Sequence, residues 1–229
     1  GGLGGVGRGE SALLSFEQVY KACAADEACT EKYGDLEELF HQAGDMLDEN
    51  PYETTVTDNQ TGEDREVSIT GQDVWAGLFN AMYDNELIPA LPSVAKAITE
   101  GQNGVVDIVA QDGIPLATDQ TDGMTVSVEC ADNQDIFDAD AVEPFLTEHP
   151  ELAALVHLGL PETGCPEWGV DSAGPPFNEL LQDTDVDVPV IAMAGRFDPV
   201  TPVAGSQRVA DALGVDLLLF PDVGHGAVS

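Results

Sequence analysis

Basic residues are scarce in this chain. Seven Lys and Arg stand against 43 Asp and Glu over 229 residues, a formal net charge of −36 at pH 7. Such a field excludes recognition of nucleic acid or of anionic lipid by charge, because phosphate is bound through clustered Lys and Arg. No apolar run reaches membrane-spanning length, so no insertion into a membrane is expected. The first residues lack the basic start and apolar core of a signal peptide, so any export signal is expected upstream of Gly1. Neither Cys-x-x-Cys nor a histidine at metal spacing occurs, which argues against zinc. Asp183-x-Asp185-x-Asp187 imitates the start of a calcium loop, but Val188 and Ala194 replace the glycine and glutamate that such a loop needs. The sequence therefore implies no metal and no cofactor. No Gly-x-Ser-x-Gly occurs either, so an exposed serine on a strand-to-helix elbow is not encoded in these residues.

With 43% hydrophobic residues the chain can bury a substantial core. The acidic excess reads as a solvated surface, of the kind that salt-rich habitats select because salt screens its self-repulsion. Four cysteines allow three pairings, and Cys23–Cys29 with Cys130–Cys165 is the favoured one. The first pair flanks a short turn, and the second falls within one later segment. Disulfides would place the protein outside a reducing cytoplasm, secreted or in the cell envelope; four buried free thiols are the alternative.

Gly1 to Gly9 reads as part of a flexible leader spanning 1–14, even though it formally contains Gly-x-Gly-x-x-Gly, since no strand precedes it. Ser15 is a candidate cap for a helix carrying Phe16, Val19, Tyr20 and Cys23 at helical spacing. Leu36, Leu39, Phe40, Ala43, Met46 and Leu47 make a second stripe. Glu53–Asp58 and Arg65–Thr70 alternate as the arms of a hairpin. Helical faces return with Val74, Trp75, Leu78, Phe79 and Met82, then with Val94, Ala97 and Ile98 after a break at Pro89 and Pro92. Residues 101–175 read as helix and loop, with helical candidates at 141–148 and 151–158.

The chemistry is concentrated near the C-terminus. Val188 to Ala194 is short, apolar and without alternation, the pattern of a parallel strand buried on both faces. Asp198 follows at its carboxyl edge, where open α/β sheets place reactive groups, and Pro199 and Pro202 fix the backbone after it. A helix is expected over Val203–Leu213 and a second buried strand over Asp216–Phe220. His225 then arrives between Gly224 and Gly226. A serine hydroxyl becomes a nucleophile at neutral pH when an imidazole takes its proton, and that imidazole needs a carboxylate to fix its tautomer. Asp198 is the candidate orienting acid and His225 the candidate general base.

Gly195-Arg-Phe-Asp198-Pro-Val-Thr-Pro202 and Pro221-Asp-Val-Gly-His225-Gly226 resemble the C-terminal segment of α/β-hydrolases of the tripeptidyl aminopeptidase-like (TAP-like) group, relatives of prolyl aminopeptidases. Phe16-x-x-Val19-Tyr-x-Ala-Cys23, Cys29, Tyr33-x-Asp35-Leu36 and Thr61-Gly62-Glu63 are similar to the start of that family's cap. Cys130-Ala-Asp132 and Cys165-Pro-x-Trp168 match its later cysteine-bearing stretches. The resemblance implies an α/β-hydrolase fragment: a mostly helical cap over 15–182 with a hairpin near 53–70, then the last two parallel strands and their intervening helix over 183–229. It implies a serine exopeptidase that releases residues or short peptides from free amino termini through an acyl-enzyme. The nucleophile would sit in a hydrolase half missing from these residues, and the chain alone would be inactive. Glu129 and Asp132 are candidate partners for a substrate amine. An esterase on the same fold and a catalytically inactive binding domain are the rival readings. Ser11, in Gly9-Glu10-Ser11-Ala12, stands in the right order for a nucleophile, but Leu13 occupies the position where an elbow needs glycine.

Overall fold

The computed structural model describes residues 6–57, 61–113, 122–133, 139–157, 168–171 and 188–226. The chain forms two compact units: residues 16–120, and residues 1–15 together with 121–229.

The 16–120 unit is helical with one hairpin. α1 spans Val6–Ala24, α2 Glu27–Tyr33 and α3 Leu36–Glu49. Asp26 caps α2 by accepting from the amides of Ala28 and Cys29, at 2.8 and 3.2 Å. Asp35 does the same for α3 with Glu37 and Glu38. These carboxylates occupy amides that a helix N-terminus otherwise leaves without partners, and they complement its dipole. A disulfide joins Cys23 to Cys29 across the α1–α2 turn, as expected. Phe16, Phe40 and Trp75 meet edge to face with ring centroids 5.3 to 6.1 Å apart and anchor the core.

β1 (Tyr52–Thr57) and β2 (Asp64–Ile69) form the expected antiparallel hairpin, in a register running from Tyr52 opposite Ile69 to Thr57 opposite Asp64. α4 (Gly71–Ala81) begins with a Thr70–Asp73 capping box. A break follows α4, as expected around Pro89 and Pro92. They occupy the first turns of a 3-10 helix at Ile88–Ala90 and of α5 (Leu91–Thr99), where a missing N–H costs no helical bond. α6 spans Asn103–Gly113.

The second unit contains the start of α1, then α7 (Asp122–Asn133), α8 (Ala139–Glu148), a 3-10 turn and α9 (Ala153–His157). It ends with β3 (Ala192–Gly195), α10 (Val203–Leu213) and β4 (Leu217–Phe220). β3 and β4 pair in parallel, Ala192 opposite Leu217 through Gly195 opposite Phe220, and α10 packs against both. Gly214, with φ of 65°, closes α10 in the left-handed conformation. Cys130 is buried and disulfide-bonded. Cys165, its expected partner, lies outside the described residues, as do Asp183, Asp185 and Asp187.

Two expectations are corrected. The chain is helical from Val6, not a flexible leader to residue 14, because the apolar stripe extends back to Ala12, one turn before Phe16. Ser15 is consequently not a cap but a buried interior residue of α1. The C-terminal strands, expected to be buried on both faces in a full parallel sheet, are uncovered here, as strands without sheet neighbours are expected to be. Val188, Ile191, Met193, Leu218 and Leu219 are exposed, Ile191 to 73% and Leu218 to 53%. Among the described residues a single crossover helix serves a sheet of two strands, and a second covering layer is absent.

Candidate active site

Both candidate residues stand just beyond the carboxyl ends of adjacent parallel strands. After Gly195 the chain turns through Arg196 and Phe197 to Asp198; after Phe220 it turns through Val223 and Gly224 to His225. The two loops are bound to each other through main chain. The Arg196 amide donates to the carbonyl of Phe220 at 2.9 Å and the Phe197 amide to that of Val223 at 3.0 Å. Gly195 permits this closeness: a Cβ there would lie 2.6 Å from the Val223 carbonyl oxygen and would collide with that of Gly224.

Within this frame His225 Nδ1 lies 3.0 and 3.1 Å from the two oxygens of Asp198. The Asp198 side chain is nearly buried, at 7% exposure, whereas that of His225 retains 42%. An inaccessible carboxylate thus holds one nitrogen of an accessible imidazole. The carboxylate is itself held. Its Oδ1 accepts from the amides of Val200 and Thr201, both at 2.8 Å, and its Oδ2 from the Thr201 hydroxyl at 2.6 Å. An Nδ1–H donated to Asp198 would fix the tautomer in which Nε2 is the basic nitrogen, the arrangement a general base requires.

The structure brings the expected candidates Asp198 and His225 together and adds the grip of Thr201, which was not among the expectations from the sequence. The signal was present as Asp198-x-x-Thr201 ahead of a helix, the pattern of an aspartate that bonds local amides in a turn. Nor was Ser15 expected here; its hydroxyl donates to the Asp198 carbonyl oxygen at 2.6 Å across 183 positions of sequence, a pairing that no local pattern encodes.

Ser11 lies inside α1 and is buried, without the exposed turn a nucleophile needs. The side chains of Glu129 and Asp132 lie outside the described residues. In the 16–120 unit a cavity of about 620 Å³ is lined by Glu17, Tyr20, Lys21, Asp35 and Glu37 among others. Glu17 is paired with Lys21, and Asp35 with the amides of α3. Among the described residues no His, Cys, Asp and Glu cluster suited to a metal ion is found, and no helix is long and apolar enough to cross a membrane.

Comparison with curated proteins and with solved structures returns no match. A family model described as TAP-like protein matches residues 157–229, the stretch that includes β3, α10, β4, Asp198 and His225. Over those residues the chain is similar to the C-terminal portion of TAP-like α/β-hydrolases.

Proposed function

We propose that this chain supplies the acid and the base of a serine exopeptidase acting on short peptides or amides with a free amino terminus. The observation that carries the reading is the Asp198–His225 pair: a buried, multiply bonded carboxylate on one ring nitrogen of an accessible imidazole. His225 Nε2 takes the proton of a serine hydroxyl as its oxygen attacks the substrate carbonyl. The protonated imidazole, stabilised by Asp198, then gives that proton to the leaving amine. Water repeats the cycle on the acyl-enzyme.

The serine belongs to a hydrolase segment beyond these 229 residues. Two features support this: the sequence contains no Gly-x-Ser-x-Gly, and the strands bearing the site expose apolar side chains of the kind that helices flanking a larger parallel sheet cover. Residues 15–182 serve as the cap that narrows access. The Cys23–Cys29 bridge and the disulfide-bonded Cys130 support residence in an oxidising compartment, secreted or in the envelope.

The test uses a form of the protein that carries this chain with its nucleophile segment, assayed on peptide anilides with free and blocked amino termini and on short-chain esters. Turnover of the free anilides that disappears in His225→Ala is the expected result. Undiminished turnover in that variant, or preference for the esters, overturns the proposal.

A further inference from the structure

The main chain of Asp198 presents a hydrogen-bonding problem that its own neighbourhood cannot solve. In a tight turn entering a helix, the carbonyl of the first residue ordinarily accepts from an amide two to four positions on. Here positions 199 and 202 are prolines, without an N–H. The amides of Val200 and Thr201 are both occupied by the Asp198 carboxylate. The Asp198 carbonyl therefore needs a donor from elsewhere in the fold, since a buried carbonyl left without one is costly.

Ser15 meets that need. It is 1% exposed, in the interior of α1, and its hydroxyl lies 2.6 Å from the Asp198 carbonyl oxygen. The same hydroxyl lies 2.8 Å from the carbonyl oxygen of Ser11, the i−4 contact that helical serines commonly make. One proton serves two acceptors, so the bond to Asp198 is in competition with a local one. A hydroxyl at this buried place, one turn from Ala12 and beside Phe16, is otherwise a poor choice, because an alanine would fit the stripe at no desolvation cost.

We propose that Ser15 is a positioning residue for the acid of the catalytic pair. By holding the carbonyl of Asp198, it keeps the Asp198–Pro199 peptide from rotating to compete for the Val200 and Thr201 amides, and so leaves those amides to the carboxylate that orients His225. The inference rests on the reading of Asp198 and His225 as acid and base.

The test uses the proton on His225 Nδ1. Shared with Asp198, it gives a downfield proton resonance in the folded chain that Asp198→Ala abolishes. Ser15→Ala is expected to weaken or broaden that resonance while the protein remains folded. In the form carrying the nucleophile, it is expected to lower kcat about tenfold with KM unmoved, as a small misplacement of a catalytic group does. Ala12→Gly, which weakens the same helix without touching the hydroxyl, leaves the resonance in place. If Ser15→Ala does not fold, Ser15→Cys, with a weak S–H donor of similar shape, is expected to give an intermediate signal. A full wild-type resonance in either folded Ser15 variant, or equal loss in Ala12→Gly, overturns the inference. Absence of the resonance in the wild-type chain instead overturns the underlying pair, and the inference with it.

Discussion

The amide of Phe197 donates to the carbonyl of Val223 at 3.0 Å, so the loop bearing Asp198 and the loop bearing His225 are joined before either side chain is considered. The side-chain pairing at 3.0 Å follows from a main-chain arrangement that two parallel strands and a glycine make available.

Gly195→Ala is expected to undo that arrangement. Gly195 does not have a positive φ, so the obstacle is space and not backbone preference. The new methyl would press on the carbonyls of Val223 and Gly224, which are backbone and cannot rotate aside as a side chain does. A stability loss of roughly 1–3 kcal/mol is expected, as for overpacking elsewhere. Loss of the Asp198–His225 pairing should accompany it. Chemical denaturation and the downfield proton of His225 check both parts.

Thr201→Val keeps the size of the side chain and removes the hydroxyl that donates to Asp198 Oδ2. Thr201 is exposed, so water can replace part of what is lost, and the expected cost is about 0.5–1.5 kcal/mol. Asp198→Asn removes the charge that stabilises the imidazolium, and its expected loss in kcat is about 10³–10⁴-fold. Steady-state rates of the two variants, in a form carrying the nucleophile, should differ by at least two orders of magnitude. Equal losses would mean that Thr201, and not the carboxylate, governs the orientation of His225.

The parts of the site visible in the sequence were those set by local chemistry. A short apolar run, then Gly195, Asp198 and two prolines, announces a strand end and a fixed turn, and Val203–Leu213 appears as the helix expected. The hairpin was equally legible, because β-branched residues alternate on both arms. The start of α1 was misjudged because its glycines outweighed a stripe whose first member, Ala12, is small. α7 was missed because Asp122–Asn133 is acidic and contains Gly123, both weak helix signals until a buried residue such as Cys130 anchors one face. Ser15 was unreadable as a partner of Asp198 because only tertiary packing brings them together.

Two tyrosines should titrate apart. The Tyr33 phenol lies below its ordinary value chiefly through a hydrogen bond from Lys32, with partial burial opposing and Ser93 and the charges of Lys32 and Lys96 assisting. The Tyr52 phenol lies above it, through desolvation first and then the hydrogen bond and charge of Asp107. Since the unfolded chain holds the Tyr33 proton to higher pH, its contribution to stability is complete above the unfolded value and is lost as pH falls through the folded one. For Tyr52 the sign reverses: its contribution is present below the unfolded value and is lost as pH rises through the folded one. Ultraviolet titration of phenolate should show an early phase that Tyr33→Phe removes and a late phase that Tyr52→Phe removes. An unchanged early phase in Tyr33→Phe would assign it to another tyrosine.

Salt should act on this chain in two opposed directions. A net charge of −36 repels itself in the compact state, and at about 1 M ionic strength the screening length shrinks to roughly 3 Å, so the thermal midpoint is expected to rise with added salt. The same charge keeps one molecule away from another, and the face bearing Ile191, Met193 and Leu218 is held apart from its copies only while that repulsion lasts. As salt rises, the isolated chain should therefore associate even as each molecule becomes more stable. Leu218→Thr with Met193→Thr, both at exposed positions, should suppress association without lowering the midpoint by more than about 0.5 kcal/mol equivalent. Light scattering and thermal unfolding across a salt series separate the two effects. Association that persists undiminished in the double variant would locate the sticky surface elsewhere and remove one support for a further segment that covers this face. A thermal midpoint highest in dilute buffer would show that the carboxylates are not repelling one another strongly enough to matter.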